Sequence, residues 1–245
     1  KLYFKKSYKK KMDMKYIFLI FYNFIESFFH LVRIKKFLKT NIFLKKQIIF
    51  DVGSHKGKIT KLFFDLYKNA KVYCFEPNKA LIKQIKQNNY KKNLVIYNCA
   101  LGEKKEKKII NINSLDLTSS LSKINKNSFY LKIKQIIVGA NKNTISQKIN
   151  VTTLDNFCKM KKIKKIDLIK IDVEGYEYMV LLGAKKIINN IHYIIIEIQK
   201  NSMYKNYSGQ KIEKFLKKNN FYLLKKFSFP FMFFQDRVYK NKKIN

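Results

Sequence analysis

Two carboxylates and two glycines stand at a spacing that could do chemistry. Asp51 ends an apolar run, and Gly53 and Gly57 bracket the turn that follows, before a helical pattern over 58–67. A second apolar run ends at Glu76. A strand–turn–helix–strand unit with a carboxylate at each strand end holds an adenosine-type ligand at the carboxyl edge of a parallel sheet. The spacing therefore predicts such a site around Asp51 and Glu76.

The form of the glycine turn indicates which adenosine ligand would bind. Gly53 and Gly57 are four residues apart, and the turn lacks the three close glycines that let a diphosphate approach a helix N-terminus. S-adenosylmethionine carries no phosphate and needs room for its amino-acid end and its sulfonium. The turn therefore favours S-adenosylmethionine over NAD, with Glu76 accepting the ribose hydroxyls.

Acidic residues are rare in this chain and are concentrated near strand ends. The chain has 16 Asp+Glu against 53 Lys+Arg, a formal net charge of +37. Five acids end strand-like runs or directly follow them: Asp51, Glu76, Asp172, Glu174 and Glu197. Together they could form a local negative pocket for a cationic ligand. The alternative is that some of them only cap helix N-termini, where carboxylates are also favoured.

A second polar strand end lies at 166–177. Asp172 and Glu174 follow an apolar run, and Gly175 lets the chain turn into a helix. In an open α/β sheet this edge borders the crevice near the first strand. A carboxylate there could accept the proton of a reacting hydroxyl. The alternative is that Asp172 only binds the cofactor amino group and Glu174 caps a helix over 176–189.

The composition limits the classes of function. Of the 53 basic residues only Arg33 and Arg237 are arginines, whereas nucleic-acid readers rely on arginine for bidentate contacts. The high charge is therefore weak support for a nucleic-acid partner. Cys74, Cys99 and Cys158 are widely spaced, so we expect reduced thiols in a cytoplasmic protein, with neither a metal site nor a disulfide framework.

The chain is predicted to have a basic lead and an amphipathic helix over 1–40, followed by one domain over 41–245. Residues 16–38 have a helical pattern with one polar stripe, and could pack on the domain or lie peripherally on the inner membrane face. No apolar run approaches the ~18 residues of a membrane span.

The domain alternates predicted strands and helices, which indicates an α/β sheet ending in a hairpin-like pair. Residues 103–150 break the alternation and are interpreted as an insertion or lid, with an edge strand at 107–113. The remaining strands are predicted at 47–52, 71–76, 93–99, 166–172, 192–198, 221–227 and 231–240.

Six segments in chain order resemble the FkbM-type S-adenosylmethionine-dependent methyltransferases. They are D-V-G-S-H-K-G at 51–57, F-E-P-N at 75–78, N-C-A-L-G at 98–102, T-L-D at 153–155, I-D-L-I-K-I-D-V-E-G-Y-E at 166–177 and L-L-G-A at 181–184. The resemblance implies a class I, Rossmann-like methyltransferase fold: a mostly parallel seven-stranded sheet, flanked by helices, with a reversed last strand. It also implies O-methylation of a hydroxyl on a sugar, glycan or secondary metabolite. One departure is Ser54-His55, where the family commonly has Ala-Asn.

Residue by residue, the resemblance implies three groups of contacts. Cofactor contacts fall on Asp51, Gly53, Ser54, Gly57, Glu76, Pro77, Asn98, Cys99 and Ala100, with the last three beside the adenine. Asp172 and Glu174 face the methyl group and the acceptor. Acceptor contacts fall on Ser119 and Ser120, and the placement of acids at strand ends adds Glu197 as a third candidate.

Three other functions stay open from the sequence. An RNA or DNA methyltransferase would have the same fold, but the chain lacks an Asn-Pro-Pro-aromatic motif at 172–175. A nicotinamide oxidoreductase would need the missing glycine triplet. A non-catalytic binding module is the third. We expect a small-molecule or glycan acceptor and no specific nucleic acid.

Overall fold

A seven-stranded sheet forms the centre of the protein. The computed structural model describes residues 30–44, 47–87, 93–113, 119–123, 125, 127–128, 144–200, 204–228 and 234–244. The strands are β1 (Ile48–Val52), β2 (Lys71–Phe75), β3 (Leu94–Tyr97), β4 (Ala100–Leu101), β5 (Glu106–Asn113), β6 (Ser119–Ser120), β7 (Thr144–Thr152), β8 (Ile166–Ile171), β9 (Ile191–Gln199), β10 (Phe221–Ser228) and β11 (Phe234–Asn241).

The main sheet has the order β10-β11-β9-β8-β1-β2-β3. β3, β2, β1, β8 and β9 pair in parallel, whereas β11 runs antiparallel to both β9 and β10. The predicted sheet with a reversed last strand is therefore confirmed. This topology brings the carboxyl ends of β1, β2, β8 and β9 to one edge, together with the start of β11.

Helices cover both faces of the sheet. They are α1 (30–41, from the first described residue), α2 (Lys58–Leu66), α3 (Lys79–Gln87), α4 (Leu154–Met160), α5 (Glu177–Leu182) and α6 (Gly209–Lys218). One face packs Ile49, Leu168 and Ile195 against α1 and α2. The other face packs the alternate strand residues, such as Phe50 and Ile169, against α4, α5 and α6. This alternation follows from the period-two side-chain direction of a strand.

α1 is anchored in this core, because Ile34 and Leu38 are fully buried. The described part of the predicted 16–38 helix therefore packs on the domain. Residues 16–29 lie outside the described residues, so membrane contact through this segment stays a prediction. Among the described residues, no helix is long and apolar enough to cross a membrane.

A second sheet occupies much of the described part of 103–150. Its order is β4-β7-β5-β6. The interpretation of 107–113 as an edge strand is wrong, because β5 pairs with β7 on one side and with β6 on the other. β7 was not predicted from the sequence. Ile110, Ile112, Ile149 and Val151 form a small core under this sheet.

Two predicted elements end earlier than their patterns indicated. The helix over 176–189 ends at Leu182, and the N–H groups of Lys186 and Ile187 bond outside the helix. The Asp155 carboxylate accepts those of Lys186 and Ile187. The third strand ends at Tyr97 rather than 99.

Candidate active site

The turn after β1 is held against the ends of β2 and β8. Gly53 and Gly57 have φ of +83° and +77°, a region that favours glycine. A Cβ on Gly53 would lie 1.8 Å from the carbonyl oxygen of Asp172, and the Gly53 N–H donates to the Phe75 carbonyl at 2.9 Å. The turn can therefore approach both neighbouring strands only because residue 53 has no side chain.

Asp51 is buried beneath this turn. The Thr60 hydroxyl donates to its carboxylate at 2.5 Å, and the Ser54 hydroxyl donates to its backbone carbonyl at 2.8 Å. Burial raises the pKa of Asp51 to about 6, although Thr60 and the cation of Lys170 partly offset this effect. The carboxylate is thus fixed in position.

Glu76 is buried at the end of β2. Its two carboxylate oxygens accept the N–H groups of Asn78 at 2.8 Å and of His55 at 2.9 Å. His55 has φ +47°, a conformation in which Asn and His are more frequent than most residues. Burial raises the pKa of Glu76 to about 7. Each carboxylate oxygen has a second lone pair, so ribose hydroxyls could still be accepted there.

The loop after Glu76 is tied to two other parts of the chain. The Pro77 carbonyl accepts from Asn98 Nδ2 at 2.8 Å and from Gln147 Nε2 at 2.9 Å, and Asn98 also donates to the Glu76 carbonyl. Cys99 is half-buried and Ala100 is a buried residue of β4. Asn98 therefore positions the loop, and adenine contacts by Asn98, Cys99 and Ala100 stay predictions.

Asp172 lies beyond the end of β8 and is paired with a lysine. Lys170 Nζ is 3.0 Å from Asp172 Oδ2 and 3.0 Å from Asp236 Oδ1. Lys170 is buried, which alone would lower its pKa, but the carboxylates of Asp172 and Asp236 outweigh burial and raise the pKa. The Asp172 side chain is 34% exposed, so it can reach a bound reactant.

Glu174 and Gly175 form the turn that carries the chain into α5. Their φ values are +54° and +90°. The Tyr204 hydroxyl donates to the Glu174 carboxylate at 2.6 Å, and the Tyr204 ring leaves no room for a Cβ on Gly175. Glu177 accepts the N–H groups of Val173 and Gly175. Glu177 therefore holds the turn that precedes α5, and no side chain among the described residues caps the N-terminus of this helix, so the alternative capping role of Glu174 is not seen.

The second sheet reaches this turn through β6. Ser120 Oγ donates to the Glu174 carbonyl at 2.6 Å. Ser119 pairs through its backbone with Ile112. Ser120 therefore contacts the turn that follows Asp172, and acceptor contact by Ser119 and Ser120 stays a prediction.

A cleft of about 220 Å³ joins several of these residues. Glu197 lines it and accepts a hydrogen bond from Gln199 Nε2. Burial, followed by the charges of Asp172 and Glu174, raises the pKa of Glu197 well above its usual value. The lining includes Asp51, Gly53, Ser54, Asp172, Glu197, Asp236 and His30. Glu76, Pro77 and Asn98 are not among the lining residues.

Three residues that line this cleft were not identified from the sequence: Lys170, Asp236 and His30. Lys170 had a signal, since it is a charged residue within a buried strand. Asp236 and His30 had none, because His30 Nε2 and Asp236 Oδ2 meet at 2.5 Å from positions 206 residues apart.

The cluster fits the cationic S-adenosylmethionine that the sequence predicts. Four buried or half-buried carboxylates line the cleft with the buried Lys170 and the exposed Lys56 and Lys58, so acids are concentrated here in a chain that is otherwise strongly basic, and they could bind a cation. Asp51 and the Gly53 turn would hold the amino-acid end, and Glu76 the ribose. Among the described residues, no cluster of His, Cys, Asp and Glu is arranged to hold a metal ion.

Comparisons with known proteins agree with this fold. Magnesium protoporphyrin IX methyltransferase from Synechocystis PCC 6803, solved with bound SAM, has a TM-score of 0.50 at 11% identity over 86% of this chain and 78% of that one. A putative RNA methyltransferase from Pyrococcus horikoshii has a TM-score of 0.49 at 10% identity over 86% and 83%. No curated protein sequence matches the chain.

A match of the sequence to a family model identifies the family. The Methyltransferase FkbM domain matches residues 51–223, well over half of the chain. That segment contains the end of β1, all of β2, β8 and β9, and the predicted cofactor residues. The chain therefore belongs to the FkbM family of S-adenosylmethionine-dependent methyltransferases, as its ordered motifs predicted.

Proposed function

We propose that this methyltransferase O-methylates a hydroxyl of a sugar, glycan or secondary metabolite. The observation that carries the proposal is the cleft in which Asp172 and Glu197 lie beside the Asp51–Gly53 turn. Bound S-adenosylmethionine supplies an electrophilic methyl group. A hydroxyl is a poor nucleophile unless a base removes its proton during the attack, and carboxylates are suitable bases.

Asp172 is the carboxylate that we assign to the reacting hydroxyl. Its Oδ2 is held by Lys170, which leaves Oδ1 without a hydrogen-bond partner among the described residues. One oxygen fixed and one available is a suitable arrangement for orienting an acceptor. Holding the acceptor in line with the donor accounts for much of the rate in such a displacement. Glu174 instead orients the turn through Tyr204.

The charge distribution supports a small or glycan acceptor over a nucleic acid. The lysines could attract phosphates to the protein in general, and the exposed Lys56 and Lys58 are part of the cleft lining, but the buried or half-buried part of that lining includes Asp51, Asp172, Glu197 and Asp236. A nucleic acid would have to bring its phosphates close to these carboxylates, which costs free energy. The buried acids of the cleft therefore favour an uncharged hydroxyl-bearing group.

The test is methyl transfer from labelled S-adenosylmethionine to fractions of a cell extract, with the Asp172→Asn variant in parallel. We expect label in a glycan or small-molecule fraction, in an alkali-stable methyl ether, and little label with the variant. Label in a fraction that nucleases remove would contradict the proposal and support the RNA or DNA alternative.

A further inference from the structure

A buried lysine joins two strands at the reacting end of the cleft. Lys170 Nζ lies 3.0 Å from Asp172 on its own strand and 3.0 Å from Asp236 on β11. Only 3% of the Lys170 side chain is exposed. Burying a lysine is unfavourable unless it is paired, so both contacts are needed to keep it there.

Asp236 is fixed in turn by α1. His30 Nε2 lies 2.5 Å from Asp236 Oδ2, and both residues are buried. α1 is held on the sheet by Ile34 and Leu38. His30, Asp236, Lys170 and Asp172 therefore form one continuous chain of polar contacts, from a helix to the cleft.

Two members of this chain of contacts, His30 and Asp236, lie outside the segment that matches the family domain, which is 51–223. They also line the same cleft as Asp51 and Glu197. Asp236 pairs with Glu197 across β11 and β9, so the start of β11 is placed directly beside the site. Parts of the chain beyond the family domain thus complete the site.

A structural role alone accounts poorly for the arrangement. Buried ion pairs often stabilise a fold no more than well-packed apolar residues of the same volume. Here the lysine leads to a half-exposed carboxylate at the cleft. Contact with Lys170 through one oxygen limits the rotation of Asp172 and directs its other oxygen away from the lysine.

We propose that Lys170, held by Asp236 and His30, is a positioning residue that fixes the Asp172 carboxylate at the reacting end of the cleft. The proposal rests on the proposed function, in which Asp172 faces the methyl group and the acceptor hydroxyl.

The test uses two ligands that differ in charge at the methyl position. S-adenosylhomocysteine has a neutral sulfur there, whereas the analogue sinefungin has a protonated amine. The ratio of their dissociation constants therefore reports how Asp172 faces that position. We expect Asp172→Asn to weaken sinefungin by about tenfold and S-adenosylhomocysteine by less than about threefold, consistent with a lost charge-assisted contact.

A double-mutant cycle then separates positioning from other effects. Asp236→Asn keeps the size of the side chain and is expected to change the ligand ratio by about threefold or more. Combined with Asp172→Asn, it should change the ratio no further, because it acts through Asp172. A direct effect of the Asp236 charge would persist in the Asp172→Asn background and would overturn the proposal. An unchanged ratio in Asp236→Asn, with only a loss of thermal stability, would also overturn it.

Two further variants are controls for misfolding and for a general change of charge. The first is the double variant Lys170→Met/Asp236→Asn, which removes one cation and one anion and so keeps the net charge of the cluster. This double variant should give the same ratio of dissociation constants as Asp236→Asn. Asp65→Asn, on the exposed face of α2, should leave the ratio unchanged. These measurements need no acceptor. Label found in nucleic acid would therefore refute the proposed acceptor class, but the binding measurements could still be interpreted.

Discussion

At the scale of single residues, Gly53 is the position where the site leaves least room for change. Its φ is +83°, and an added Cβ would lie 1.8 Å from the Asp172 carbonyl oxygen. Gly53→Ala should therefore lower the free energy of unfolding by about 2–4 kcal/mol, from backbone strain and overpacking together. Urea denaturation measures this loss.

Gly209 offers a matched control for that substitution. It lies at the start of α6, and an added Cβ would be 3.0 Å from one Ile198 methyl group. Gly209→Ala should change the unfolding free energy by less than about 1 kcal/mol. Equal effects at the two glycines would show that the close approach at Gly53 has no energetic weight.

Asp172 and Glu174 are expected to respond differently to loss of charge. Asp172→Asn should lower turnover by about 10²-fold, the usual effect of losing a general base, and leave S-adenosylhomocysteine affinity within about threefold. Glu174→Gln can keep the hydrogen bond from Tyr204 and should retain most of the turnover. Steady-state kinetics and calorimetry on both variants measure these constants.

The opposite pattern would reassign Asp172. If Asp172→Asn raised the dissociation constant of the cofactor and left saturated turnover unchanged, the carboxylate would hold the cofactor amino group rather than the acceptor.

At the scale of elements, α1 is part of the domain and should contribute to its stability. Leu38 is fully buried in the core that α1 shares with β1, β8 and β9. Leu38→Ala should therefore cost about 2–5 kcal/mol, the usual range for a buried leucine. Val32→Ala on the same helix is the control, since Val32 is 46% exposed. Similar denaturation midpoints for both variants would mean that α1 does not stabilise the sheet.

The alternation of apolar runs and helical patterns was sufficient to predict the main sheet. β1, β2 and β8 are short apolar runs with turn residues at their ends, so their positions were read to within a residue or two. β7 was missed because its sequence T-I-S-Q-K-I-N-V-T is half polar and its partner β5 begins 38 residues earlier. Strand pairing at that distance has no local signal.

The candidate site was predicted only as far as each strand end could be read alone. Asp51 lies near the end of its strand, Glu76 and Asp172 directly follow theirs, and the parallel topology brings all three to one edge. Lys170, Asp236 and His30 depend on the register of β8, β9 and β11 and on the docking of α1, which no short segment encodes.

At the scale of the whole molecule, the buried acids should make stability depend on pH. Burial raises the pKa of Asp51, Glu76 and Glu177 to about 6, 7 and 8. In the unfolded chain such groups ionise near pH 4. Between about pH 5 and 8 the folded protein therefore holds more protons than the unfolded one, so the unfolding free energy falls as pH rises.

The melting temperature of the ligand-free protein should accordingly decrease from pH 5 to pH 8 in 0.15 M salt, where long-range repulsion is screened. A double variant, Asp51→Asn with Glu177→Gln, should flatten this dependence. A melting temperature that rises with pH over this interval would contradict the raised pKa values of these buried acids.

The central claim is that the carboxyl edge of the sheet binds S-adenosylmethionine through Asp51, the Gly53 turn and Glu76. Isothermal titration with S-adenosylhomocysteine tests it most directly, with NAD as the competing ligand and Glu76→Ala and Glu103→Ala as site and surface variants. We predict micromolar binding, roughly −8 kcal/mol, weakened more than about tenfold by Glu76→Ala and unchanged by Glu103→Ala. Binding of NAD without binding of S-adenosylhomocysteine, or equal affinity in the wild type and Glu76→Ala, would contradict the account.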